Sequence, residues 1–225
     1  MFSIHPVILV HGHIVIDDDQ HVIIDTGSPL SFHSSGVLNM GGEMIPVAIS
    51  VPGISKKYLS EKVGIGIEGI IGMDIISKHS LLFCLKDGNV SFDDDVRYNR
   101  SFQNIKLDPL LGNLAGIRIK VNGLPANVIV DTGAPISYIH PSFTEALERN
   151  GTKQDFSPYA GDFQTDVYIC EVDTMTGEKA YWQKFGNPPD ILLAILERCD
   201  VDGIIGVDLF KRYNIQMRGT ELFLS

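Results

Sequence analysis

The chain has 225 residues, 44% of them hydrophobic and 20% charged, with a formal net charge of −10. That length suits one large globular domain or two small ones, and the acidic balance excludes the basic surface of a nucleic-acid binder. The opening MFSIHPVILVHGHIVIDDD has no basic leader and no small-residue cleavage site, and histidines break its apolar run. We therefore expect neither a signal peptide nor a membrane span, and a cytoplasmic protein. Cys84, Cys170 and Cys199 lie far apart without CxxC spacing, which predicts reduced structural thiols.

In chain order, PVILVHGHIVI and QHVIID read as strands around an acidic turn at Asp17, Asp18 and Asp19. His11 and His13 alternate on the first of these, with His21 across the hairpin; we read them as half-exposed strand residues and expect no metal and no cofactor. The second strand ends on the acid of DTGSPLSF, Asp25 to Phe32. A tight turn follows at Met40-Gly41-Gly42-Glu43. Residues 64–69 spell GxGxxG, but the next segment is EGIIGMDIISK, Glu68 to Lys78, rather than the helix a dinucleotide site needs. A short helical turn is expected over 75–78, and LLFCL-KDG-NVSF then predicts a hairpin. Asp93 to Asp95 read as a solvated acidic run.

Tyr98 to Gly116, with Asp108-Pro109 and Gly112-Asn113, has the composition of a connection, so we divide the chain into residues 1–104 and 105–225. GIRIKV and ANVIVD flank a turn at Asn122-Gly123-Leu124-Pro125 and again end on an acid, Asp131. Ser142 and Glu145 form a capping box with Gly151 as the stop, which predicts a helix over 142–150. DVYICEV-DTMTG-EKAYWQKF, Asp166 to Phe185, predicts a longer hairpin. Ile191 to Arg198 suits helix or strand equally, a second helical turn is expected over 209–213, and NIQM-RGT-ELFLS reads as a final hairpin.

The order is duplicated. VIIDTGSPLSF, Val22 to Phe32, recurs as VIVDTGAPISY, Val128 to Tyr138, at an offset of 131 − 25 = 106. EGIIGMDIISK recurs as DGIIGVDLFKR, Asp202 to Arg212, at an offset of 203 − 69 = 134, so the second copy holds 134 − 106 = 28 extra residues between its motifs. An acid closing an apolar strand is costly unless it has a partner or a task. If the copies pack about a pseudo-twofold axis, Asp25 and Asp131 meet there and share one proton, an acid and a base side by side. The bland alternative is a structural duplication in which each aspartate merely caps its turn.

The paired DTG[SA] and GIIGxD motifs resemble those of the aspartic proteases, as two retropepsin-like units joined in one chain. The resemblance covers residues 7–97 and 114–225 and implies an all-β, bilobal pepsin/retropepsin-like fold with pseudo-twofold symmetry, acting as an aspartic endopeptidase on an extended peptide or protein. It implies that Asp25 and Asp131 are the catalytic pair, Thr26 and Thr132 bond each other across the axis, and Gly27 and Gly133 form the substrate-side turns. Ile70-Ile71-Gly72 and Ile204-Ile205-Gly206 would brace the two loops from beneath. A hydroxyl at Ser28 would bond the neighbouring carboxylate and favour its charge, which Ala134 cannot do, so the working pH is expected to be less acidic than in gastric pepsins. The cover over the cleft is expected in part from Gly41 and Gly42, and mainly from the second copy, with Thr174, Met175, Thr176 and Gly177 at the tip. Such a protein needs no second copy, no nucleic acid and no membrane; the alternative is a catalytically inactive peptide-binding module of the same fold.

Overall fold

The turn His11-Gly12 splits the first apolar run, because both residues adopt positive φ, 50° and 93°. β1 (Ser3–Val10) therefore folds back on β2 (His13–Ile16), with Val7 opposite Ile16, where the sequence reads as one strand. The fold is seen in a computed structural model that describes residues 3–40, 42–51, 53–93, 100–157 and 160–224. β2 pairs with β3 (Val22–Ile24), which ends at the first DTG.

In the first half, β4 (Phe32–His33), a small hairpin of β5 (Val37–Met40) and β6 (Glu43–Pro46), and helix α1 (Lys56–Val63) lead to β7 (Gly69–Ile71). β7 inserts between β3, to which it is parallel, and β4, to which it is antiparallel. Helix α2 (Met73–Ile76) and the hairpin of β8 (Ser80–Cys84) and β9 (Asn89–Phe92) complete this half. The α1 helix is absent from the sequence expectation, although its signals are present. Ser55 accepts a hydrogen bond from the Tyr58 amide at the start, and Gly64 ends the helix at φ 84°.

β10 (Arg100–Ser101) and β11 (Gln103–Ile105) link the halves. The second half repeats the plan with β12 (Gly116–Val121), β13 (Leu124–Val130) and β14 (Ser137–Ile139). β15 (Thr152–Ser157), β16 (Gly161–Asp173) and β17 (Tyr181–Gly186) form a meander, and α3 (Asp190–Arg198) leads to β18 (Gly203–Ile205). β18 lies between β13, parallel, and β14, antiparallel, as β7 does in the first half. α4 (Asp208–Arg212) and the hairpin of β19 (Ile215–Arg218) and β20 (Glu221–Leu224) end the chain.

The span from β14 to α3 exceeds that from β4 to α1 by (190 − 139) − (56 − 33) = 28 residues, so the extra residues of the second copy fall where its β15–β17 meander takes the place of the first copy's short β5–β6 hairpin. The molecule is mostly β, in a ten-stranded sheet ordered β10-β20-β19-β8-β9-β1-β2-β3-β7-β4 and an eight-stranded sheet ordered β11-β12-β13-β18-β14-β17-β16-β15. The last hairpin thus crosses to the first half's sheet, where Ile215 lies opposite Phe83 and the rings of Phe83 and Phe210 meet at 4.8 Å. One continuous apolar core runs through both halves, from Ile24 and Phe83 to Val130 and Phe210. The helix expected over 142–150 does not form. His140 and Pro141 start a single 3-10 turn, the Thr144 hydroxyl donates back to the Pro141 carbonyl, and the Asn150 amide already donates to the Val167 carbonyl of β16. The ambiguous segment near Ile191 is helix α3.

Candidate active site

β3 and β13 deliver the two DTG loops to one point. Asp25 donates its backbone N–H to the Ile71 carbonyl and Asp131 donates to Ile205, both at 3.0 Å, so each loop hangs from the parallel strand beside it. The next residues of those strands are Gly72 and Gly206. A Cβ on Gly72 would stand 2.6 Å from the Leu30 carbonyl oxygen, and one on Gly206 2.5 Å from that of Ala134, so any side chain there would push the loop away. Met73 and Val207 complete the brace by donating to the Ser28 and Ala134 carbonyls at 2.8 and 3.0 Å. The geometry of Ile70, Ile71, Gly72, Ile204, Ile205 and Gly206 is therefore that of a support under each loop.

The threonines interlock. Thr26 and Thr132 are fully buried, each amide donates to the other's hydroxyl at 2.9 Å, and the hydroxyls donate onward to the Val130 and Ile24 carbonyls at 2.8 and 2.7 Å. Every donor of the pair is satisfied across the axis, which fixes one half against the other.

Asp25 and Asp131 are half-buried and meet at that axis. Each accepts the amide of its own glycine, Gly27 at 2.9 Å and Gly133 at 2.8 Å. A Cβ on Gly27 would fall 2.2 Å from the Asp131 carboxyl carbon, and one on Gly133 2.5 Å from that of Asp25. Each acid thus leans on the other loop's glycine, a place only glycine leaves free. Burial, then the charge of Asp25, raises the Asp131 carboxyl well above its ordinary range. Burial raises Asp25 as well, against the amides of Gly27 and Ser28 and a hydrogen bond to Asp131, which hold it lower. Both carboxyls are thus raised, and their titration belongs to the pair rather than to either residue.

Two expectations need correction. The Ser28 hydroxyl donates to the Leu30 carbonyl at 2.8 Å, and only the Ser28 amide serves Asp25. The Ala134 amide serves Asp131 in the same way, so the residue difference between Ser28 and Ala134 does not set the acids apart. Residues 174–177 do not cover the cleft. They form the turn between β16 and β17, and Asp173 pairs with Lys120 near the Val121–Leu124 end of the β12–β13 hairpin. Asp131 follows the other end, roughly 20 Å away at 3.3 Å per residue. The hairpin that crosses to the first half is β15–β16. Its Phe156 meets Tyr58 of α1 edge-on at 5.7 Å and His13 at 5.9 Å, and its Asp162 pairs with Lys62. In the first half, β5–β6 packs into the core through Leu38 and Met40, and the Gly42 amide donates to Asn39; Gly41 lies outside the described residues.

Sequence reasoning passed over three side chains. Gly72 donates to the Ser31 hydroxyl, and Ser31 donates to Asp74 at 2.5 Å; Gly206 donates to the Ser137 hydroxyl in the same position. The signal was the serine shared by SPLSF and APISY at the same offset of 106. His13 is buried, not half-exposed, its ring bonds the Gly133 backbone, and burial pulls its pKa down. His11 is exposed in its turn, and no cluster of metal-ligating side chains occurs among the described residues.

Against known proteins, a family model described as aspartyl protease matches residues 117–209. No curated protein matches the chain. Among solved structures, the Simian Foamy Virus (mac) protease is similar at 16% identity and a TM-score of 0.31, over 41% of this chain and 88% of that one. The EIAV protease complexed with the inhibitor HBY-793 is similar at 17% identity and a TM-score of 0.29, over 45% and 89%. The aspartic proteinase from Irpex lacteus is similar at 13% identity and a TM-score of 0.49, over 100% and 97%. The family match falls on the half that contains Asp131, Thr132 and Gly133 and is in keeping with a protease role.

Proposed function

We propose that the protein is an aspartic endopeptidase that hydrolyses peptide bonds with a water activated between Asp25 and Asp131. Asp25 takes a proton from the water as its oxygen attacks the scissile carbonyl carbon, while Asp131 donates its proton to the carbonyl oxygen. The resulting diol collapses when the amide nitrogen is protonated from Asp25, releasing an amine and a carboxylic acid and returning one proton to the pair. No covalent intermediate is needed. The observation that carries this reading is the reciprocal seating of each carboxyl against the other loop's glycine, which puts two acids of raised pKa side by side.

The two lobes are residues 1–104 and 105–225, with the final hairpin exchanged into the first, and one copy of the chain supplies both aspartates. An extended peptide enters between them, and β15–β16 lies over it from the second lobe. The test is incubation with a diverse peptide mixture from about pH 3 to 8, with new termini read by mass spectrometry. Cleavage should vanish in Asp25→Asn and in Asp131→Asn. Cleavage that survives either substitution refutes the shared-proton mechanism, and peptide binding without cleavage in the unaltered protein identifies an inactive binding module.

A further inference from the structure

Beyond the aspartates, the second half contains a pocket of about 640 Å³ lined by Pro135 and Ile136, which follow the DTG loop, and by Asp208, Lys211 and Arg212 of α4. Its lining carries Lys153, Lys184, Lys211 and Arg212 against one acid, Asp208. In a chain of net charge −10 this is a local reversal of sign. An adjoining groove shares Lys211 and Arg212 and adds Lys86 and Lys179 against Glu178. Both acids are already engaged, Asp208 with Lys211 at 2.9 Å and Glu178 with Arg100. Among the described residues, Lys153, Lys184 and Arg212 make no ion pair.

The pocket is also shaped. Arg212 lies 4.0 Å over the Tyr181 ring, which holds its guanidinium in one orientation. Trp182, the chain's single tryptophan, also lines the pocket, 68% exposed and on the opposite face of its strand from Tyr181, and offers a flat apolar surface to a bound peptide.

We propose that this pocket is a subsite for acidic side chains, so that the protein selects extended peptides carrying Asp or Glu to one side of the bond that is cut. The proposal rests on the peptide-substrate reading and names its substrate class. The test uses the Asp131→Asn variant, which binds without turnover, and follows Trp182 fluorescence. It is titrated with a short peptide bearing several Asp and Glu and, separately, with its Asn and Gln counterpart. The acidic peptide is expected to bind at least about tenfold more tightly, about 1.4 kcal/mol. The difference should shrink at about 1 M salt, where the screening length is about 3 Å. Joint Lys153→Glu and Lys184→Glu substitution should remove the preference. Equal affinity for the two peptides overturns the proposal, as does a preference that survives the charge reversals, or tighter binding of a short single-stranded oligonucleotide. Acid-selective binding by a protein that cuts no peptide at any pH supports the subsite and overturns only the endopeptidase reading.

Discussion

Burial, then the charge of Asp25, raises the Asp131 carboxyl well above its ordinary range, and this has a sign that calorimetry reads. A carboxyl whose folded pKa lies above its unfolded value retains a proton that the unfolded chain releases. Its contribution therefore weakens the fold as pH rises from the ordinary aspartate value, about 3.9, through the raised one. Asp131→Asn removes the ionisation and keeps an acceptor for the Gly133 amide. The variant should melt at a higher temperature than the wild type near pH 7, with the gap closing toward about pH 3. A lower melting temperature at pH 7 would mean that the charged form is favoured. At this scale the residue types were legible and their rotamers were not. DTGSP specifies a serine after the glycine, but whether its hydroxyl turns to Asp25 or to Leu30 is decided by a carbonyl that the same loop brings within 2.8 Å.

At the scale of elements, the extra 28 residues of the second copy were visible as a difference of motif offsets, and they do build a hairpin. Which hairpin of the meander meets the first half was not visible. The DTMTG segment is a strong turn, with Met175 and Gly177 at positive φ, and it does form one. Its place was set by long-range pairing of Val172 with Val121, which no local signal encodes. The crossing hairpin is pinned by Phe156 against Tyr58 and His13. The Lys62–Asp162 pair adds little, since Asp162 is exposed. Aromatic pairs contribute about 0.5–1.5 kcal/mol beyond their buried area. Phe156→Ala should therefore speed amide hydrogen exchange in β15 and the start of β16 by roughly 2- to 10-fold while leaving β13 and β18 unchanged. Unaltered protection of β15 would show that the hairpin is held by other contacts.

For the whole molecule, the duplication is written in sequence, but the exchange of the last hairpin is not. β8 and β19 are equivalent strands of the two copies, each followed by its own partner, and each hairpin would read the same in an isolated lobe. They pair because each offers the other an open edge, and Ile215 and Met217 line up with Phe83 and Leu81. Neither lobe is then complete alone. Residues 1–104 would expose the β8 edge, and residues 105–225 would leave β19–β20 without a sheet. Expressed separately, the two pieces should lack cooperative melting transitions, and mixing them should restore one along with dispersed methyl resonances. A sharp transition in either piece by itself would contradict this dependence.

The unequal hairpins also give the cleft a direction. An assembly of two identical chains offers the same wall to both ends of a bound strand, so either end can lead. Here the second half contributes the long β15–β16 hairpin and the first only the short β5–β6, so under the proposed peptide reading a strand running one way meets groups that its reversed copy does not. A twofold site is indifferent to polarity; the proposed one would distinguish N-terminal from C-terminal.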